Sequence, residues 1–158
     1  MINSFTGKYR FLSNFWNAPF TDNNGVRWRS SEQFYQAHKA MTEEDVLKVY
    51  ETKTPHEAKR VGNEIQENPD FEEGKNHIMW VALQYKFVQN PDIRNKLIDT
   101  GEQTLLEGNT WHDNYWGNCS CPKCCDIEGR NELGKQLMML RDLLKSGAYE
   151  VDDVTRVH

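Results

Sequence analysis

Ser30-Ser31-Glu32-Gln33-Phe34-Tyr35-Gln36-Ala37-His38-Lys39 is the stretch on which the fold turns. A serine followed three positions later by an amide side chain is a capping box: the hydroxyl accepts an orphan backbone N–H and the distal side chain reaches back. The spacing predicts a helix from about Ser31 to Lys39 or just beyond. On it Glu32, Tyr35, Gln36 and Lys39 fall at i, i+3, i+4 and i+7 and share a face. A carboxylate and an amine then lie two turns apart, separated by an aromatic ring and an amide. A partly buried site of that make-up shifts both pKa values and suits acid–base or Schiff-base chemistry. The same spacing also describes an ordinary polar stripe facing solvent.

Helical signals continue downstream. Thr42 with Asp45 starts a second helix, and Thr54-Pro55-His56-Glu57 a third, with proline at the first helical position where its missing N–H costs nothing. Asp70 to Asn90 reads as a longer helix with Met79, Trp80, Leu83 and Phe87 on one apolar face. Asn90-Pro91 opens a further helix that Gly101 ends. The last runs from about Asn131 to Ser146, carrying Leu133, Leu137, Leu140 and Leu144, with Gly147 past its end. Strand signals are few. Lys8 to Phe15 alternates roughly, Phe20 to Val26 contains Asp22-Asn23-Asn24-Gly25, a hairpin turn, and Thr104 to Glu107 reads as a short strand. The expected fold is mainly α with a small β element near the N-terminus. It forms one domain over residues 1–148, followed by a polar, frayed tail over 149–158.

Composition bounds the function. The 158 residues are 37% hydrophobic and 27% charged, which fits a globular chain and excludes a wholly disordered one. No apolar run approaches the ~20 residues of a membrane helix. The start, Met1-Ile2-Asn3-Ser4-Phe5, lacks the pattern of a signal peptide, so a cytoplasmic protein is expected. Net charge is −5, yet residues 1–39 carry five bases against two acids. An acidic chain with one small basic region suits a small phosphorylated ligand better than a long duplex. Neither a membrane nor stable long-duplex nucleic acid is therefore an expected partner.

Asn109 to Arg130 is a long irregular segment of the kind that carries function. In Trp111-His112-Asp113-Asn114-Tyr115-Trp116-Gly117 the aromatics offer flat faces for a base or sugar, and Asp113 between them is a carboxylate against an apolar wall. The two tryptophans serve equally well to seal a core. All four cysteines follow, in Cys119-x-Cys121-x-x-Cys124-Cys125. Such a cluster does not staple distant segments, which points to a reduced compartment. Cys121-Pro-Lys-Cys124 has zinc-knuckle spacing, but no second CxxC exists and four thiolates from seven residues are cramped. Three cysteines plus His112 is one arrangement the loop allows, against a plain reduced loop. No cofactor or metal is otherwise expected. His38, His56 and His77 stand isolated. Gly129-Arg130-Asn131-Glu132-Leu133-Gly134 offers free helix N–H groups to an anion, or simply a closely packed Gly134.

The ordered set of segments resembles the YbiA-like or NADAR family. The matching pieces are Phe11-Leu12-Ser13-Asn14-Phe15; Ser31 through Lys39; Ala58 and Gly62; Trp80 through Lys86-Phe87; and Leu97-Ile98-Asp99-Thr100-Gly101. They continue with Leu105-Leu106-Glu107, Asp113 with Trp116-Gly117, and Gly129-x-Asn131-x-Leu133-Gly134-x-x-Leu137-Met138-x-x-Arg141. They span residues 5–145. The resemblance implies a mostly helical fold and an N-glycosidase. Two substrate types follow from it: the ribosylamino-pyrimidine phosphates of riboflavin synthesis, or ADP-ribose attached to guanine. It also implies roles: Glu32 as catalytic carboxylate, Lys39 as its partner and Asp113 as a further catalytic group. Trp80 and Trp116, with Asp113, would line the sugar and base pocket, and Tyr35 would bind substrate. Arg10, Asn14 and Asn131 would give polar contacts to ribose or phosphate. The cysteine stretch departs from the plainer loop of the family. Two other readings stay open: a non-catalytic ADP-ribose or nucleotide-binding module, and a zinc-braced interaction domain.

Overall fold

The computed structural model describes residues 1–147, so the tail expected over 149–158 lies outside the described residues. Helix is the main regular structure of the described chain, about half of its residues, and the chain divides into two compact units, residues 14–94 and residues 1–13 with 95–147.

The 14–94 unit is built around α1 (Ser31–Ala37). Ser30 caps it by accepting the Gln33 N–H at 3.1 Å, as the capping box requires. Every residue of α1 is buried, because α2 (Glu43–Tyr50), α3 (Pro55–Gly62) and α4 (Phe71–Gln89) all pack on it. Thr42 and Thr54 cap α2 and α3 through the N–H groups of Asp45 and Glu57. Residues 81–88 of α4 are buried on every side, which one apolar face did not foretell. A hairpin precedes α1. In it β1 (Phe20–Thr21) pairs antiparallel with β2 (Arg27–Trp28), and Asp22 Oδ1 accepts the N–H groups of Asn24 and Val26 across the turn. Gln89 at the end of α4 holds β1 through both the N–H and the C=O of Thr21. Phe20 stacks on Tyr85 at 5.4 Å, and Trp28 meets Phe34 edge-on at 5.5 Å.

α5 (Pro91–Asp99) leads from that unit into the other, with Ile93 and Leu97 buried. In the second unit the buried side of α6 (Glu132–Ser146) includes Leu133, Leu137 and Leu140 of the expected leucine face, while Leu144, nearer its end, is only half-buried. The Arg141 guanidinium is buried there too, donating to Thr100 Oγ1 and to the Gln103 carbonyl. Two parallel strands, β3 (Gly108–Asn109) and β4 (Asn118–Cys119), close the irregular loop at its base.

Three expectations change. Lys8 to Phe15 is not a strand: Gly7–Leu12 forms a 3-10 helix, closed by Tyr9 N–H to Thr6 O and Ser13 N–H to Arg10 O. The apolar alternation there is too short to separate period two from period three. Thr104 to Glu107 is reduced to a single bridge of Leu105 to Ile2. Finally, α1 ends at Ala37, not Lys39. Its last turn tightens to i→i+3 bonds, Lys39 N–H to Gln36 O and Ala40 N–H to Ala37 O. The chain then leaves α1 because the Lys39 carbonyl accepts from Asn68 and Ala40 bridges to Glu67.

Candidate active site

Glu32 sits in the first turn of α1 and is only 6% exposed, which removes the reading of its face as a solvent-facing stripe. A buried carboxylate needs donors. One is the Gln36 amide, whose Nε2 donates to Glu32 Oε1 at 2.6 Å, one helical turn away. Gln36 is held in place by Gly62: a Cβ there would stand 2.0 Å from Gln36 Oε1, so α3 approaches α1 this closely only without a side chain at that position. The backbone of Glu32 is fixed from the other side. Its N–H donates to the Asn14 carbonyl at 3.3 Å, while the Asn14 amide accepts from Ser31 Oγ at 2.8 Å and donates to Met79 Sδ at 3.4 Å.

Lys39 lies two residues past the helix, pinned by its backbone to Asn68. Its ammonium stands over two rings at once, Tyr35 at 5.8 Å and Phe71 at 5.9 Å, and these rings meet each other edge-on. Burial lowers its pKa from the ordinary lysine value. Glu32, Glu67 and Glu72 pull back toward the charged form, and Lys59 works with the burial. The result is a half-buried amine with a carboxylate acting on it, and a larger share of the neutral, nucleophilic form than a surface lysine carries. Lys86 is a second such amine, brought down to about 7 by burial alone. It lies on α4 with no surface exposed to solvent.

Glu32, Lys39, Asn14 and Tyr35 are thus brought together in the 14–94 unit. Trp80 belongs to the same unit, half-buried on α4 next to Met79. A cavity of about 350 Å³ in this unit is lined by Pro19, Arg27, Trp28, Arg29, Gln33 and Tyr50 and contains none of these residues. A buried carboxylate and a lysine whose pKa burial lowers coincide at Glu32 and Lys39.

Arg10, Asp113, Trp116 and Asn131 belong to the other unit. Arg10 is exposed on the 3-10 helix. Asp113 Oδ1 accepts the N–H groups of Tyr115 and Trp116 at 3.1 and 2.9 Å, so this carboxylate shapes its own loop. Trp116 is half-buried and packs edge-on against Tyr115, whereas Trp111 is 59% exposed. The Asn131 amide is engaged by backbone: Oδ1 accepts from Glu107 N–H and Nδ2 donates to the Leu105 carbonyl. Gly134 packs against that same carbonyl, where a Cβ would come within 2.1 Å. This is the close-packing alternative for the Gly129–Gly134 stretch.

The loop also gathers His112, Cys119, Cys121 and Cys124, whose donor atoms all lie within 4.8 Å of one another, a group able to hold a metal ion. Burial alone would raise the Cys119 thiol, but N–H donation from Cys121 and His112 outweighs it and the thiol lies below its ordinary value. Burial pushes Cys124 up to about 11.

A family model of the NADAR domain matches residues 3–145. The chain belongs to the NADAR domain family. A Nostoc punctiforme N-glycosidase is 34% identical over 133 residues, 78% of this chain and 81% of that protein. The N-glycosidase YbiA of Escherichia coli is 32% identical over 123 residues, 77% of this chain and 73% of that protein. A Vibrio vulnificus riboflavin biosynthesis protein is 34% identical over 87% of this chain, which spans only 36% of that longer protein. The NMR structure of E. coli YbiA superposes with a TM-score of 0.78 at 29% identity, covering 94% of this chain and 89% of that one. The fold is accordingly the mainly α, YbiA-like one. Within this NADAR domain, sequence reasoning missed Phe71 as the second ring beside Lys39 and Gly62 as the residue that seats Gln36. Both act through contacts between helices, which helical spacing does not encode.

Proposed function

We propose that the chain is an N-glycosidase that hydrolyses a ribosyl C–N bond in a phosphorylated substrate, with Glu32 and Lys39 as its catalytic pair. The observation that carries this is the buried Glu32 carboxylate beside an amine whose pKa is depressed in an aromatic cage. Support also comes from the N-glycosidase names of relatives whose length the chain largely spans.

Breaking the bond between ribose C1′ and nitrogen builds positive charge on the sugar ring. A carboxylate at Glu32 stabilises that charge and orients the attacking water. Lys39 opens a second route. With the ring opened, the neutral amine adds to C1′ and the base leaves with the proton. The imine formed between C1′ and Nζ is then hydrolysed by water to the free sugar and the free amine. Asp113 is proposed as a further catalytic carboxylate, and Arg10, Asn14, Tyr35, Trp80, Trp116 and Asn131 as substrate contacts, on the family resemblance. Removing a main catalytic group costs about a thousandfold or more, ~4 kcal/mol in barrier.

The substrate is either a ribosylamino-pyrimidine phosphate or ADP-ribose on guanine. Base release from each, read by mass spectrometry for wild type, Glu32→Ala and Asp113→Asn, is the test. Turnover of neither by wild type, or full rate in Glu32→Ala, overturns the assignment. Saturable binding without turnover would make the protein a reader of the same ligand. A full rate in Asp113→Asn would restrict catalysis to Glu32 and Lys39.

A further inference from the structure

We propose that His112, Cys119, Cys121 and Cys124 bind one zinc ion, as a closed structural centre that fixes the loop bearing Asp113 and Trp116. The four donors come from two stretches that the sequence separates by six residues and the fold brings side by side. β3 and β4 pair in parallel, with Asn109 opposite Cys119, and the intervening chain turns back so that His112 faces the cysteines. His112 Nδ1 lies 3.2 Å from Cys121 Sγ and 3.5 Å from Cys124 Sγ. A tetrahedron with metal–sulfur bonds of ~2.3 Å and a metal–nitrogen bond of ~2.05 Å has N···S edges of roughly 3.6 Å and S···S edges of roughly 3.8 Å. The two N···S separations are already close to that edge length, and no two donor atoms stand farther apart than 4.8 Å, so a small contraction closes the shell.

The backbone is arranged for the same purpose. His112 takes φ of +69°, a left-handed conformation uncommon for residues other than glycine, at the turn that brings its Nδ1 to the Cys121 and Cys124 sulfurs. The His112 and Cys121 N–H groups both aim at Cys119 Sγ, at 3.3 and 3.5 Å, as donors to a metal-bound thiolate do. The base of the loop is braced separately. Asn109 Oδ1 accepts from Trp111 and Asp113 N–H, and Asn114 Oδ1 accepts from Cys119 N–H.

The donor set selects the ion. Three thiolates and one imidazole exclude the oxygen-seeking calcium and magnesium, and the single histidine leaves one sulfur fewer than a four-cysteine iron–sulfur cluster needs. Four protein ligands leave no open position, so the metal is structural and takes no part in glycoside chemistry. Cys125 is excluded from the set. It is exposed, and its thiol donates to the Pro122 carbonyl. Replacing Cys125 by His112 removes the crowding that four consecutive-segment cysteines would impose. The centre does not depend on the glycosidase assignment, and metal content is read without any activity.

The test is elemental analysis and native mass spectrometry of the full chain, as purified and after refolding from denaturant and chelator with added zinc. One zinc per chain is expected. Cys125→Ser keeps it. Cys121→Ser and Cys124→Ser weaken retention by more than the ~10- to 100-fold that changes outside the ligand shell cost. Should the ligand variants not fold, cobalt exchange into the wild type answers instead, through the visible bands of a tetrahedral, thiolate-rich site. Three results would overturn the proposal: no zinc together with no cobalt spectrum, copper in place of zinc, or a metal-free chain two hydrogens short in mass, which marks a disulfide. Loss of metal in Cys125→Ser equal to that in Cys124→Ser would overturn the ligand set.

Discussion

Gly62 has no side chain, and Gln36 occupies the space one would take. A methyl group there would come within 2.0 Å of Gln36 Oε1 and 3.1 Å of its Cβ, so Gly62→Ala must push Gln36 off the Glu32 carboxylate. The expected cost is about 1–3 kcal/mol of stability, with a fall in kcat exceeding that in substrate affinity. The double variant Gly62→Ala with Gln36→Ala makes the check sharper. Shortening Gln36 makes room and recovers stability, measured by denaturant unfolding, while kcat stays low because the Gln36 amide no longer donates to Glu32. Lys39 carries a second expectation. If the imine route operates, borohydride reduction during turnover fixes sugar to Lys39, and Lys39→Met abolishes the adduct and lowers kcat about a thousandfold. The rate follows the neutral amine, so it rises with pH through the depressed pKa of Lys39. Exposed Glu67 raises that pKa, and Glu67→Gln therefore moves the rising limb toward lower pH. An unmoved limb would show that another group titrates.

The helix starts of the 14–94 unit were legible because a cap is local chemistry. Ser30, Thr42 and Thr54 each accept the backbone N–H three residues on, where the sequence places them. The end of α1 was not legible, because nothing between Ala37 and Lys39 breaks a helix. What stops it is Asn68, nearly thirty residues away, donating to the Lys39 carbonyl. The same distinction separates the site residues. Glu32 and Gln36 meet as i, i+4 neighbours, so their pairing could be read from spacing. Phe71 reaches Lys39 from another helix and could not. The cysteine loop shows both limits at once: the knuckle spacing was visible, whereas the seat of His112 depends on a two-residue parallel pairing too short to have a sequence pattern. Ser30→Ala tests the element directly. The cap is buried and holds the turn that carries Glu32, so its loss should cost about 1 kcal/mol, and up to about 2. It should lower activity more than Thr42→Ala, which removes the cap of a helix that carries none of the proposed catalytic residues. Equal activity in the two would mean that α1 is held by packing alone.

At the scale of the whole fold, the enclosure of Lys86 carries an electrostatic cost that depends on pH. Its side chain is fully buried, and burial brings its pKa from 10.5 to about 7. Below pH 7 both folded and unfolded chains hold the proton, and the folded state bears the whole cost of a buried ammonium. Between 7 and 10.5 the unfolded chain binds a proton that the folded chain has released, so unfolding free energy rises with pH. Above 10.5 the contribution is flat and the cost is gone. The rise approaches ~1.4 kcal/mol per pH unit within that window. Lys86→Met keeps the length of the side chain and removes the titration, leaving only the slopes of the other groups. Denaturant unfolding of both proteins from pH 6 upward, taken as a difference, should show the variant ahead by a few kcal/mol (on the order of the pKa displacement) at neutral pH. The lead should shrink steadily as pH rises. A difference that does not change with pH would mean that Lys86 stays charged in the folded protein, held by partners strong enough to offset its burial.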